Sequence, residues 1–371
     1  MRILAIDMGT GTQDILLFDS SGPIENCVKM VMPSATQIAA ARIRRATAAG
    51  RAVVLTGVVQ GGGPCAWALE DHLGAGLTAY ATPEAAQTFD DDPARVAEMG
   101  IRVVSVDEAA AIDGDHVELR DLDLGAVRAA LAAFEAPADI DGLAIGCLDH
   151  GASPPGYSDR LFRFDHLKRV VGARNDLRAF AMLPDEMPEY LTRARAMVAT
   201  AQRDAPGTPV VFLDTGPAAA LGALQDPRVG EQATQLVLNL GNMHALAFHL
   251  EGTRIVSLYE HHTGEMTTEQ IEDFSERLLT GALPHEDVFN SKGHGVFYAE
   301  GAAPAGDSAT PGAGVIAVTG PQRGRLRGSR LAPYFATPHG DMMISGCFGL
   351  LTAYAEKYPA AAEEIMGALG A

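Results

Sequence analysis

Arg2-Ile-Leu-Ala-Ile-Asp7-Met-Gly9-Thr10-Gly11-Thr12-Gln13-Asp14-Ile-Leu-Leu-Phe18-Asp19 opens the chain, and its reading decides the fold. Ile3 to Ile6 is a short apolar run of the kind that forms a buried strand, and Ile15 to Phe18 is a second. Between them two glycines allow a tight turn whose N–H groups can face a ligand. Thr10, Thr12 and Gln13 add side-chain donors. Successive inward N–H groups form an anion-binding nest. Asp7, at the end of the first strand, is a hard oxygen ligand suited to Mg²⁺. Together these parts suit a di- or triphosphate and its metal. The same letters also spell an ordinary hairpin with a Gly/Thr turn.

Around this stretch lie 371 residues, enough for two domains. Lys and Arg number 28 against 47 Asp and Glu, a net charge of −19. That excess argues against a nucleic-acid or anionic-membrane partner and leaves a small-molecule substrate as the expectation. A bound phosphate would then rely on Mg²⁺, backbone donors or a few placed arginines. Cys27, Cys65, Cys147 and Cys347 make no CxxC pair, so neither a zinc knuckle nor an iron–sulfur cluster is expected. So few cysteines fit a reducing cytoplasm. A strand expected from residue 3 leaves no signal peptide to expect, and no apolar run reaches the length of a membrane span. The sequence carries no sign of oligomeric state.

Further along, Ala52–Thr56 reads as a strand running into a loop that holds Gln60, Gly61 and Gly62. A Gly-rich loop after a buried strand is where α/β proteins place ligand sites, and it equally serves tight helix–strand packing. A second apolar run, from Gly142, ends in Asp149-His150-Gly151. That tip reads as an acid/base pair or metal ligand, or as a turn in which Asp149 caps the next segment. Arg160 and Arg163, among aromatics, would clamp an anionic substrate or pin a loop by salt bridges. Glu260-His261-His262 places two histidines side by side, and on an extended segment only one of them can face a given site. His294 sits in a flexible, Gly-flanked tip, and Asp341 is a natural N-cap that with His339 would also look into the cleft. Residues 299–311, rich in Gly, Pro and Ala, read as a long loop, and Val315–Val318 as a strand running into Thr319-Gly320-Pro321.

Asp7-x-Gly-Thr between two strands resembles the phosphate-1 motif of the actin/Hsp70/sugar-kinase superfamily. In that light Asn239-x-Gly241-Asn242 takes the place of the phosphate-2 motif, and Thr319-Gly320 that of the adenine and ribose loop. Gln60, Gly61 and Gly62 resemble a loop beside the sugar pocket of glycerol and xylulose kinases. Asp214, ahead of an Ala-rich helix, resembles the base that takes a proton from the accepting hydroxyl. In those kinases the Asp lies one residue nearer the helix glycine. The segment after Asp341 resembles their closing helix. More narrowly, the Asp-His-Gly, Glu-His-His-Thr-Gly and Pro-His-Gly-Asp-Met-Met segments resemble a family labelled as pyruvate formate-lyase activating proteins. That label implies radical chemistry on a four-iron cluster, which needs three close cysteines that this sequence lacks.

The resemblance implies an α/β fold: a two-domain, ribonuclease-H-like duplication around a central cleft. Domain I would hold residues 1–228 plus a closing helix at 346–371, and domain II residues 229–345. It implies an ATP- and Mg²⁺-dependent phosphotransferase or ATPase. Asp7 would hold the metal. Gly9 to Gln13, Asn239, Gly241, Asn242, Thr319 and Gly320 would grip the nucleotide, with Asp214 as base. Two alternatives keep the fold. In one, the histidine tips and Asp149 serve a metal- or His-dependent hydrolase or lyase. In the other, the protein binds nucleotide without turnover.

Overall fold

The computed structural model describes residues 1–300 and 313–370, so the loop read at 299–311 lies almost wholly outside them. Within the described residues, sixteen strands form three sheets. β1 (Arg2–Met8), β2 (Thr12–Asp19) and β3 (Val28–Pro33) make an antiparallel meander. β1 is buried from Ile3 to Met8, as its nearly unbroken apolar run requires of a central strand. β4 (Val53–Gly57), β5 (Ala79–Ala81), β6 (Ile101–Val103) and β7 (Asp115–Leu119) form a separate parallel sheet in the order β6-β5-β4-β7. β8 (Gly142–Cys147), β9 (Ala181–Met182) and β10 (Val210–Asp214) return to the first sheet, which runs β3-β2-β1-β8-β10-β9.

The remaining strands build the third sheet: β11 (Gln235–Leu240), β12 (His244–Glu251), β13 (Arg254–His262), β14 (Gly295–Tyr298), β15 (Val315–Thr319) and β16 (Tyr334–Phe335). Its order is β14-β13-β12-β11-β15-β16. The strings β3-β2-β1-β8-β10 and β13-β12-β11-β15-β16 therefore repeat one order. The senses also repeat: the first three strands antiparallel, the next two parallel. The fold is the two-domain α/β duplication of sugar-kinase-like type.

Two helices join the halves. Thr215–Ala223 follows β10, and Ser345–Lys357 returns from the second half, buried from Ser345 to Ala355. A Cβ on Gly222 would stand 1.7 Å from the Ser345 carbonyl oxygen, and one on Gly349 2.0 Å from that of Ala218. The helices thus cross backbone on backbone, which only glycine at both places permits. Leu213 of the first sheet, Phe248 of the third and Phe348 of the returning helix share one core.

The Ala52–Thr56 strand falls in the small inserted sheet, which has its own core of Ile43, Val53, Leu55, Leu69 and Val117.

Candidate functional site

The turns that end β1 and β11 have one design. The Gly9 amide donates to the Thr12 carbonyl at 2.9 Å, and the Gly241 amide donates to that of His244 at 2.9 Å. They face each other closely, since a Cβ on Gly11 would lie 2.3 Å from Asn242 Nδ2. Asp7, Gly9, Thr10 and Thr12 line one wall of the cleft between them, and Asn239, Gly241 and Asn242 the other. Thr319 and Gly320 close its end. The enclosed volume is about 110 Å³, below the roughly 300–1,000 Å³ of ordinary small-molecule pockets. The cleft is shut.

Two carboxylates meet beneath the first turn, because Asp7 and Asp14 face each other across the β1–β2 pair. Thr215 Oγ1 donates to Asp7 Oδ1 at 2.6 Å. Burial pushes the Asp7 carboxyl up to about 7. Burial, and after it the charge of Asp7, pushes Asp14 up to about 8. Asp14 Oδ1 is buried without a hydrogen-bond partner. Among the described residues neither carboxylate is paired with a Lys or Arg. Two hard oxygen donors left uncompensated are the donor set a small divalent cation takes.

Asp214 is held at both of its carboxylate oxygens. Its Oδ1 accepts the Gly216 amide at 3.0 Å, capping the helix, and its Oδ2 accepts from Arg163 Nη1. Arg163 is wholly buried and also reaches Glu260 on β13, with Nε 3.2 Å from Oε2. A carboxylate held by a cap and a guanidinium is fixed in orientation. Asp149 is likewise structural: its two oxygens accept the Gly151 and Ala194 amides at 2.8 and 2.9 Å. The reading of Asp149 as a turn cap is the one the geometry supports.

The histidine tips converge instead. His150, which follows β8, His244, which opens β12, and His294, which precedes β14, each bring a ring nitrogen within 4.8 Å of the others. His150 Nε2 and His294 Nε2 stand 3.3 Å apart. His262 adds a fourth ring, with centroids 4.6 Å from His294 and 4.9 Å from His244. His244 Nε2 and His294 Nδ1 are buried without partners. Burial holds His150 down at about 3 and drives His244 and His294 well below the ordinary imidazole range. His244 was not singled out from sequence. The signal was its place in the second turn, matching Thr12 in the first.

The other expected residues lie elsewhere. His261 points away from the four rings: its Nε2 contacts Ser291 Oγ at 3.1 Å and its Nδ1 donates to the His262 carbonyl. Gln13 turns outward, donating to the Pro33 carbonyl at 3.0 Å. Gln60 Oε1 accepts the Arg120 amide at 2.8 Å, and Gly61 donates to Asp121, whose carboxylate also holds Arg193. Gly62 packs against Thr88 and accepts from Thr36. These three brace the inserted sheet and do not line the cleft, because the loop follows the strand that left the main sheet. Arg160 donates to the Phe289 and Gly293 carbonyls at 3.0 and 2.7 Å and lies over the Phe289 ring, a strap between the halves. His339 packs edge-on against Phe348, and Asp341 accepts the Met343 amide at 3.0 Å.

Solved structures overlap the chain only loosely. The ROK hexokinase of Thermus thermophilus is 12% identical, with 69% of this chain and 48% of that chain covered at a TM-score of 0.24. A Bacteroides thetaiotaomicron protein with an actin-like ATPase fold and unknown function is 7% identical over 72% of each chain, at 0.27. The Aquifex aeolicus member of the Ppx/GppA family is 10% identical, with 96% and 90% covered, at 0.28. The chain spans 37%, 48% and 53% of the length of the first three solved structures it matches. Overlaps this loose add no weight, and the repeated strand order carries the fold. No curated protein sequence matches. The profile of the family described as "Putative pyruvate format-lyase activating enzyme (DUF1786)" matches residues 60–325, more than half of the chain, and the chain belongs to that family.

Proposed function

We propose that the protein binds a Mg²⁺–nucleoside triphosphate, ATP by the resemblance, between its two turns and hydrolyses the terminal phosphate. The observation that carries this reading is the pairing of two turns of one backbone design across one cleft, with Asp7 and Asp14 uncompensated beneath it. Asp7 and Asp14 would hold the cation, whose chemistry there is neutralisation of charge on phosphate oxygens. Thr10, Asn242 and the turn amides would orient those oxygens. Asp214 is engaged by Arg163 and the Gly216 amide, so its side chain is not free to turn toward an accepting hydroxyl. Water is therefore favoured over a sugar as the acceptor. The shut cleft has no room for a whole nucleotide, so loading requires the two turns to part.

The family description implies an iron–sulfur radical enzyme, and the thiols here do not fit one. Cys65 and Cys147 are buried in different cores, and Cys347 Sγ contacts the Asp14 carbonyl at 3.1 Å. No step is assigned to such a cluster.

Isothermal titration with Mg-ATP and a phosphate-release assay test the proposal. Binding and slow release are expected in the native chain. Asp7→Asn should lower kcat by at least about 100-fold, the equivalent of ~3 kcal/mol of lost charge stabilisation. No heat at millimolar nucleotide from folded protein would overturn it.

A further inference from the structure

We propose that His150, His244 and His294 form a binding site for one divalent first-row transition ion, open on the side of the cavity lined by His262. The site is independent of the nucleotide reading and uses none of its residues beyond the shared wall at His244.

Three observations point to it. First, the spacing fits. Two nitrogens bound at ~2.0–2.1 Å to a tetrahedral ion stand roughly 3.3 Å apart, and His150 Nε2 and His294 Nε2 are 3.3 Å apart. Second, a hydrogen bond between that pair would not account for the third ring. His244 Nε2 is buried with no protein partner, a polar atom left unsatisfied if nothing fills the site. Third, the electrostatics admit a cation. Arg163, the buried guanidinium that acts on all three rings, is already faced by two carboxylates, Asp214 and Glu260.

Three neutral imidazoles are a donor set for zinc, cobalt, nickel, copper or iron, and a poor one for Mg²⁺. Three protein ligands with one position left free is the pattern of a site that binds water or substrate at the metal. His262 stands beside that position, and the cavity it lines with His150, about 690 Å³, gives a ligand access from solvent. The ligands come from both halves: His150 follows a strand of the first sheet, while His244 and His294 adjoin strands of the third.

The full chain, stripped of metal by chelation and titrated with Co²⁺, tests the site. One equivalent should bind and give the intense visible absorption of a tetrahedral cobalt centre, and Zn²⁺ should displace it. His244→Gln and His294→Gln should each weaken binding by about 100-fold or more, since even partners of a metal-ligating histidine are worth 10–100-fold. His339→Gln should leave the tetrahedral cobalt spectrum unchanged, and that spectrum reads this site alone while Mg-ATP titration reads the other, which separates failure of this site from failure of the nucleotide reading. The proposal is overturned if folded native chain takes up no stoichiometric Co²⁺. It is equally overturned if folded His244→Gln and His294→Gln bind as tightly as the native chain. Should either variant unfold by circular dichroism, the native stoichiometry and the cobalt spectrum decide alone.

Discussion

Gly9 and Gly241 hold the same place in two turns that close with the same amide-to-carbonyl bond at 2.9 Å. Around them almost every polar choice differs. Asp7 in the first becomes Asn239 in the second, Thr10 becomes Asn242, and Thr12 becomes His244. Across the hairpin, Asp14 faces Asp7, whereas Leu246 faces Asn239. The backbone was duplicated and the charge was not. One turn therefore offers hard oxygen to a small cation, and the other offers amide and imidazole. A duplicated fold can thus place two unlike donor sets on either side of one cleft without changing a single strand order.

The largest effect should come from holding the turns together. In Gly11→Cys/Asn242→Cys an oxidised link would keep the cleft shut. With an open fraction below ~1%, nucleotide binding falls by at least about 100-fold and returns on reduction. Titration before and after reductant checks it, and unchanged affinity in the oxidised form would mean the ligand does not enter between the turns. A smaller effect separates base from brace. Asp214→Asn should lower unfolding free energy by about 3 kcal/mol, because Arg163 loses a buried partner. Turnover per folded molecule should fall far less than the ~10²–10⁴-fold that removing a general base costs. Urea unfolding alongside phosphate release reads both. The smallest effect belongs to Gln13, which leaves the first turn on its outer side. Gln13→Ala should change affinity by no more than about twofold, within the ~0.5 kcal/mol of a surface substitution. A large loss would put Gln13 back in the cleft.

Much of this arrangement is legible in the letters alone. Apolar runs mark β1, β2, β8, β10 and β11, and the glycines mark the turns between them, because strand burial and turn geometry are local demands. The placement of Asp7, Gly9, Asn239, Gly241 and Thr319 around one cleft follows from the order of those segments. What the letters hide is partnership over distance. Nothing near Asp214 announces that Arg163, 51 residues away, occupies its second oxygen. β5 is three residues long, too short to show a period, and nothing local tells that β4, β6 and β7 form a sheet of their own, so Gln60 is drawn toward the cleft. His150, His262 and His294 are visible as separate tips, but their meeting depends on two sheets folding face to face. His244 is hidden by its role as the start of a strand.

The crossing of Gly222 and Gly349 carries a mechanical consequence. Two helices separated by side chains can slip along each other by trading one rotamer for another. Here no such lubricating layer exists between Gly222 and Ser345 or between Gly349 and Ala218. The contact behaves as a pin: it tolerates turning and resists sliding. Whatever movement admits a ligand is a swing about that pin, with its greatest travel at the tips farthest from it.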